Sequence, residues 1–174
     1  MSETRALMVI DVQRVYMEPE PMVTSDGDDL IEKCGELIDK ARSVGVPIVY
    51  VQHRSDDQPD DPDLIGVHPK LAPRAGEPVV QKRFGSAFFK TELERTLADL
   101  GAKTLYMMCG LATFGCVNAT VMCSVCKEYE TIVVKDAHGA QDFPDSTAAQ
   151  VIDHFNAVWE RAGARLIASQ DVAF

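Results

Sequence analysis

The chain has 174 residues, with 17 lysines and arginines against 27 aspartates and glutamates, a formal charge of −10 and 46% hydrophobic residues. A chain of this length reads as one soluble domain, residues 1–174, and can hide about 70% of its unfolded-state surface without staples. The acidic balance argues against nucleic acid or an anionic membrane as partner, since phosphate binding needs a basic patch, and no run nears the apolar length of a membrane span.

Along the chain, short apolar runs alternate with helical patterns. The runs lie at Ala6–Ile10, Pro47–Val51, Thr104–Met108, Thr131–Val134 and Arg165–Ala168, with a weaker one at Pro78–Val80. They are continuously apolar rather than alternating, as strands buried on both faces should be. A first helix puts Leu30, Ile31, Cys34, Leu37, Ile38 and Ala41 on one face and stops near Gly45. A second is expected to open with a capping box at Thr91 and Glu94 and to stop at Gly101. A third, from Cys116 to about Lys127, is apolar nearly all round and should be deeply buried. A fourth runs from about Asp145 to Ala162 and ends at Gly163. This alternation implies an α/β fold: three layers, α/β/α, around a mostly parallel six-stranded Rossmann-like sheet. Ligands bind beyond the carboxyl ends of such strands, here Asp11–Gln13, Gln52–Arg54, Gly110–Cys116 and Asp136–His138.

Cys116 sits where a turn becomes the third helix, so helix amides could stabilise a thiolate or an oxyanion. Asp11, ending the first strand, suits a base; Lys82 could keep Asp11 ionised and lower the thiol pKa. Taken singly, each residue fits a bland role as well: a small buried hydrophobe, a strand-end cap, a surface lysine.

Four segments together resemble the isochorismatase-like cysteine hydrolase superfamily over nearly the whole chain. They are Asp11 to Gln13; Lys82 with Ser86 to Phe88; Gly110 to Thr113 with Cys116, Val117 and Thr120; and Val133 to Ala137. The resemblance implies a Cys–Asp–Lys set on Cys116, Asp11 and Lys82. It also implies a cis peptide at Leu111–Ala112 and an oxyanion hole from the amides of Ala112 and Cys116. The implied activity is hydrolysis of a C–N bond in a small amide, lactam or ureido compound through a thioester, without metal or other cofactor. Retention of Cys116 favours this amidase branch over vinyl-ether hydrolysis. The stretch Val51–Asp57 lacks the Asp-x-His of metal-dependent nicotinamidases. A homo-oligomer, dimer or tetramer, is implied as well.

Gln13, Tyr16, His53, Phe88 and Phe114 are candidates to line the substrate site, with Phe114 making its wall more apolar. His68 and His154 are assigned to structure, and Arg14, Arg54 and Arg83 read as surface arginines. Residues 55–76, rich in Asp and Pro, are expected to loop over the site. Five cysteines in a chain that needs no disulfide framework fit reduced thiols in a cytoplasm. Two other classes stay open: a binding or scaffold protein that keeps the fold without turnover, and a redox or metal protein built on Cys123 and Cys126.

Overall fold

A computed structural model describes residues 4–18, 27–109 and 112–174. Six strands, β1 (Thr4–Ile10), β2 (Ile48–His53), β3 (Val79–Lys82), β4 (Ala102–Cys109), β5 (Glu130–Val134) and β6 (Arg165–Ile167), form one sheet in the order β3-β2-β1-β4-β5-β6. Every pairing is parallel, so the sheet is wholly rather than mostly parallel.

Side chains alternate across the sheet and so divide the core in two. Leu7, Val9, Tyr50 and Tyr106 face α2 (Gly27–Ser43), whose buried residues are the six with helical spacing: Leu30, Ile31, Cys34, Leu37, Ile38 and Ala41. Ala6, Met8, Ile10, Val49, Val51 and Val80 face the opposite layer. That layer holds α4 (Leu93–Asp99), α5 (Asn118–Cys126) and α6 (Ala148–Ala162). Between these elements lie two single-turn helices, α1 (Arg14–Met17) and α3 (Pro62–Ile65).

Three local expectations change. The capping box at Thr91 does not form: Thr91 Oγ1 donates to Ala87 O and accepts from Leu93 N, and α4 starts two residues later than Thr91. A capping box forms instead on α6, between Thr147 and Gln150, and Gly163 closes that helix at φ 108°. The third helix is preceded by a π-helical turn, Thr113–Val117, and its buried residues are Thr120, Val121 and Ser124. Ala119, Met122 and Val125 stay half-buried, so its apolar surface is only partly covered.

Residues 55–76 are pinned rather than free. Asp61 caps α3, Ile65 and Leu71 are buried, His68 N donates to Val12 O, and Arg14 N donates to Gly66 O.

Candidate active site

The strand order reverses between β1 and β4, which is where α/β sheets open a crevice. Asp11 follows β1, and Cys116 lies seven residues beyond the end of β4. The sheet register brings in two more groups. His53 and Lys82 are register partners at the ends of β2 and β3, so their side chains stand abreast. Both are in phase with Val51 and Val80 and therefore face the α5 layer, where Cys116 lies.

The Lys82 side chain is fully buried and reaches across β2 to Asp11, with Nζ 2.7 Å from Asp11 Oδ2. The same Nζ donates to Cys116 Sγ at 3.0 Å, to His53 Nδ1 at 3.1 Å and to Phe84 O at 3.1 Å. With Asp11 that makes four acceptors around three ammonium hydrogens. Asp11 is the nearest of them, and both the charge and the hydrogen bonding of Lys82 favour its ionised form. Asp11 also holds a left-handed backbone, φ 55°, which is uncommon outside glycine and is tolerated best by short polar side chains. Strain of this kind persists only where surrounding contacts enforce it.

These environments set the proton positions. Burial raises the Asp11 pKa further than Lys82 pulls it down. For Lys82, desolvation opposes the charge, but Asp11 and Cys116 outweigh it and keep the ammonium protonated. Burial, helped by the Asp11 charge, pushes the Cys116 thiol up to about 11 against the opposing pull of Lys82. Cys116 sits inside the π-helical turn, where burial beside Asp11 favours its thiol form. Burial and then the Lys82 charge lower the His53 pKa, so its ring is neutral with the Nδ1 lone pair toward Lys82.

Ligand atoms of Asp11, His53 and Cys116 all lie within 4.8 Å of one another, a grouping that could hold a cation. Lys82 Nζ stands 2.7–3.1 Å from each of the three, so the ammonium already fills that role.

The lining candidates divide. Tyr16 is half-buried, accepts a hydrogen bond from Gln58 Nε2 at 2.8 Å, and has its pKa raised to about 12 by burial and by the Asp11 charge. His53 belongs to the Lys82 cluster. Phe114 is half-buried with its ring edge against Phe143 at 5.0 Å. Gln13 is fully buried, and its amide is used on backbone groups: Nε2 donates to His53 O and Ile65 O, and Oε1 accepts from His53 N. Phe88 packs in the core beside Tyr129, 5.7 Å between centroids. The amide of Ala112 is described, while the Leu111–Ala112 peptide bond lies outside the described residues.

The other histidines have structural partners. His68 Nε2 is 3.3 Å from Glu18, and His154 packs on Phe155. His138 is buried between Thr113 Oγ1 and Asn156 Oδ1. Arg14 and Arg83 make exposed ion pairs with Glu18 and Asp56. Cys123 and Cys126 are free thiols in the last turns of α5, away from the helix N-terminus that would activate them. Sequence reasoning missed the Phe84 carbonyl and the Gln13 clamp; the one signal available was a glutamine three residues past the apolar run Ala6–Ile10.

A family model for the isochorismatase domain matches residues 5–171. The chain is 30% identical over 139 residues to YddQ, an uncharacterized isochorismatase family protein of Bacillus subtilis, with 77% of each chain covered. It is 29% identical over 153 residues to maleamate amidohydrolase of Pseudomonas putida, covering 77% of this chain and 71% of that one. The crystal structure of N-carbamoylsarcosine amidase from Thermoplasma acidophilum superposes with a TM-score of 0.81 at 26% identity, over 98% of this chain and 99% of that one. Its relatives thus include amidohydrolases, and no helix among the described residues is long and apolar enough to cross a membrane. With its match over nearly all of its length and its parallel six-stranded sheet, the chain belongs to the isochorismatase family.

Proposed function

We propose that this protein is a cysteine-dependent amidohydrolase that cleaves the C–N bond of a small amide, lactam or ureido compound. The observation that carries this reading is the buried contact of Lys82 Nζ with both Asp11 Oδ2, at 2.7 Å, and Cys116 Sγ, at 3.0 Å. A scaffold that has lost turnover has no need to bury a lysine against a thiol and a carboxylate, an arrangement that costs desolvation energy.

In the proposed cycle Asp11 takes the thiol proton as Sγ attacks the carbonyl carbon. Negative charge gathers on the carbonyl oxygen, which the amides of Ala112 and Cys116 hold. Collapse of the tetrahedral species breaks the C–N bond, and protonated Asp11 gives its proton to the departing nitrogen. A water that Asp11 deprotonates then attacks the thioester, releasing the carboxylic acid and returning the thiol. Lys82 stays charged throughout and balances the negative charge that moves between Asp11 and sulfur. Tyr16 and Phe114 flank the substrate. The half-buried Ala119, Met122 and Val125 on α5 suit a homo-oligomer, which light scattering would test.

A panel of small primary amides, lactams and ureido acids, screened for ammonia release, tests the activity. Cys116→Ala should abolish any hydrolysis found; undiminished turnover in that variant would refute the mechanism.

A further inference from the structure

The turn that follows β2 stands at one side of the candidate site. Gln58 N donates to Ser55 O at 3.3 Å and Ser55 N donates to Gln58 Oε1 at 3.2 Å, so residues 55–58 fold back on themselves. Two ties hold this turn against the site. Gln58 Nε2 donates to the Tyr16 hydroxyl at 2.8 Å, and Asp56 pairs at 2.9 Å with Arg83, the residue after Lys82. Asp57 lies between the two tied residues and is itself exposed. The Ser55 hydroxyl and its own amide hold its carboxyl below the usual carboxylate range. Burial dominates the pKa of both His53 and Tyr16, and each also feels the Asp57 charge, so that carboxylate stands within electrostatic reach of two residues that line the site.

The charges around this rim are otherwise engaged. Asp11 and Lys82 offset each other, Asp56 takes Arg83, Glu18 takes Arg14, and Lys90 lies over the rings of Phe84 and Phe89. Asp61 is used in capping α3. Asp57 makes no ion pair among the described residues, so its charge is left for what enters the site. We propose that Asp57 is a specificity-determining residue, set on the rim to accept an ammonium or other cationic group of the substrate. This deepens the proposed function and rests on it: the substrate is then a small amide, lactam or ureido compound that also carries a positive charge. A rim charge of this kind acts on the choice and approach of the ligand more than on its affinity, because water screens it.

The test follows modification of Cys116 by three reagents of one chemistry and similar length: the 2-aminoethyl, 2-hydroxyethyl and 2-sulfonatoethyl methanethiosulfonates, which are cationic, neutral and anionic. Peptide mass spectrometry reads Cys116 apart from the other thiols. At low salt the cationic reagent should react fastest and the anionic one slowest. In Asp57→Asn the ratio of cationic to neutral rates should fall about fivefold, the worth of one close charge pair in water, and added salt should erase the difference between the two proteins. Asp60→Asn removes the same charge from the same loop beyond the two ties and should keep the wild-type ratio. Three outcomes would overturn the proposal: an unchanged ratio in Asp57→Asn, an equal fall in Asp60→Asn, or a faster reaction with the sulfonate, as the half-buried Arg54 beside His53 would favour. None of these readouts needs turnover, so an amide panel without a substrate would sink the hydrolase reading and leave the charge preference of the rim measurable.

Discussion

Asp11 and Lys82 form an ion pair 2.7 Å apart with both side chains at most 1% exposed, although the strands that carry them are separated in the sheet by β2. Two opposite charges taken this far from water depend on each other. Removing one leaves the other buried and unpaired, whereas removing both removes the desolvation cost as well.

Lys82→Met alone should therefore lose about 3–5 kcal/mol of stability, and Asp11→Asn should lose less because the amide oxygen can still accept from the ammonium. The double variant Asp11→Asn, Lys82→Met should recover to within about 1 kcal/mol of wild type while staying inactive. Urea unfolding of the four proteins measures this cycle. A double variant as unstable as Lys82→Met would show that the pair supports the fold beyond its own charges.

Asp11→Asn should separate nucleophile formation from turnover. The Asp11 charge is one cause of the raised Cys116 pKa, so its removal lets Lys82 draw the thiol pKa down. Without that base, alkylation of Cys116 should follow thiolate formation alone, slower than wild type near pH 6 and rising steeply with pH. Hydrolysis should fall on the order of 1000-fold or more, because no group remains to protonate the leaving nitrogen or activate water. An alkylation profile identical to wild type in Asp11→Asn would contradict the thiol–base arrangement.

His138 should make the fold acid-sensitive. Burial lowers its pKa from 6.5 to about 4, so the folded state resists a proton that the unfolded chain accepts. Its contribution is complete above pH 6.5 and is lost as pH falls toward about 4, amounting to about 2 kcal/mol by pH 5. His138→Gln, compared with wild type by urea unfolding at pH 7 and pH 5, should show a smaller drop by that amount. Equal drops in the two proteins would assign the acid sensitivity to other groups.

Thr147→Ala should cost about 1 kcal/mol by breaking the capping box with Gln150, with hydrolysis untouched. Chemical unfolding and a rate assay together check that pairing of outcomes. Thr91→Ala should also cost stability without touching hydrolysis, because Thr91 Oγ1 donates to Ala87 O and accepts from Leu93 N at the start of α4.

Much of this protein was legible along the chain. The buried face of α2 agrees residue for residue with its helical spacing, and the apolar runs of β1, β2 and β5 became strands covered on both sides, while the edge strands β3 and β6 stay partly exposed. Both patterns depend on backbone periodicity, which neighbouring residues determine. The Thr91 signature failed because α4 starts two residues later, so the hydroxyl accepts from Leu93 N rather than from the amide of Glu94. Asp11, Lys82 and Cys116 could be proposed from sequence because their types, order and strand-end positions are one-dimensional facts. Only the tertiary structure decided their protonation and their partners. The neutral thiol follows from burial against Asp11, and the place of His53 beside Lys82 follows from the β2–β3 register. A pKa or a hydrogen bond is set by what stands within a few ångströms, and here those neighbours come from segments 29 to 40 residues apart and more, which no local pattern connects.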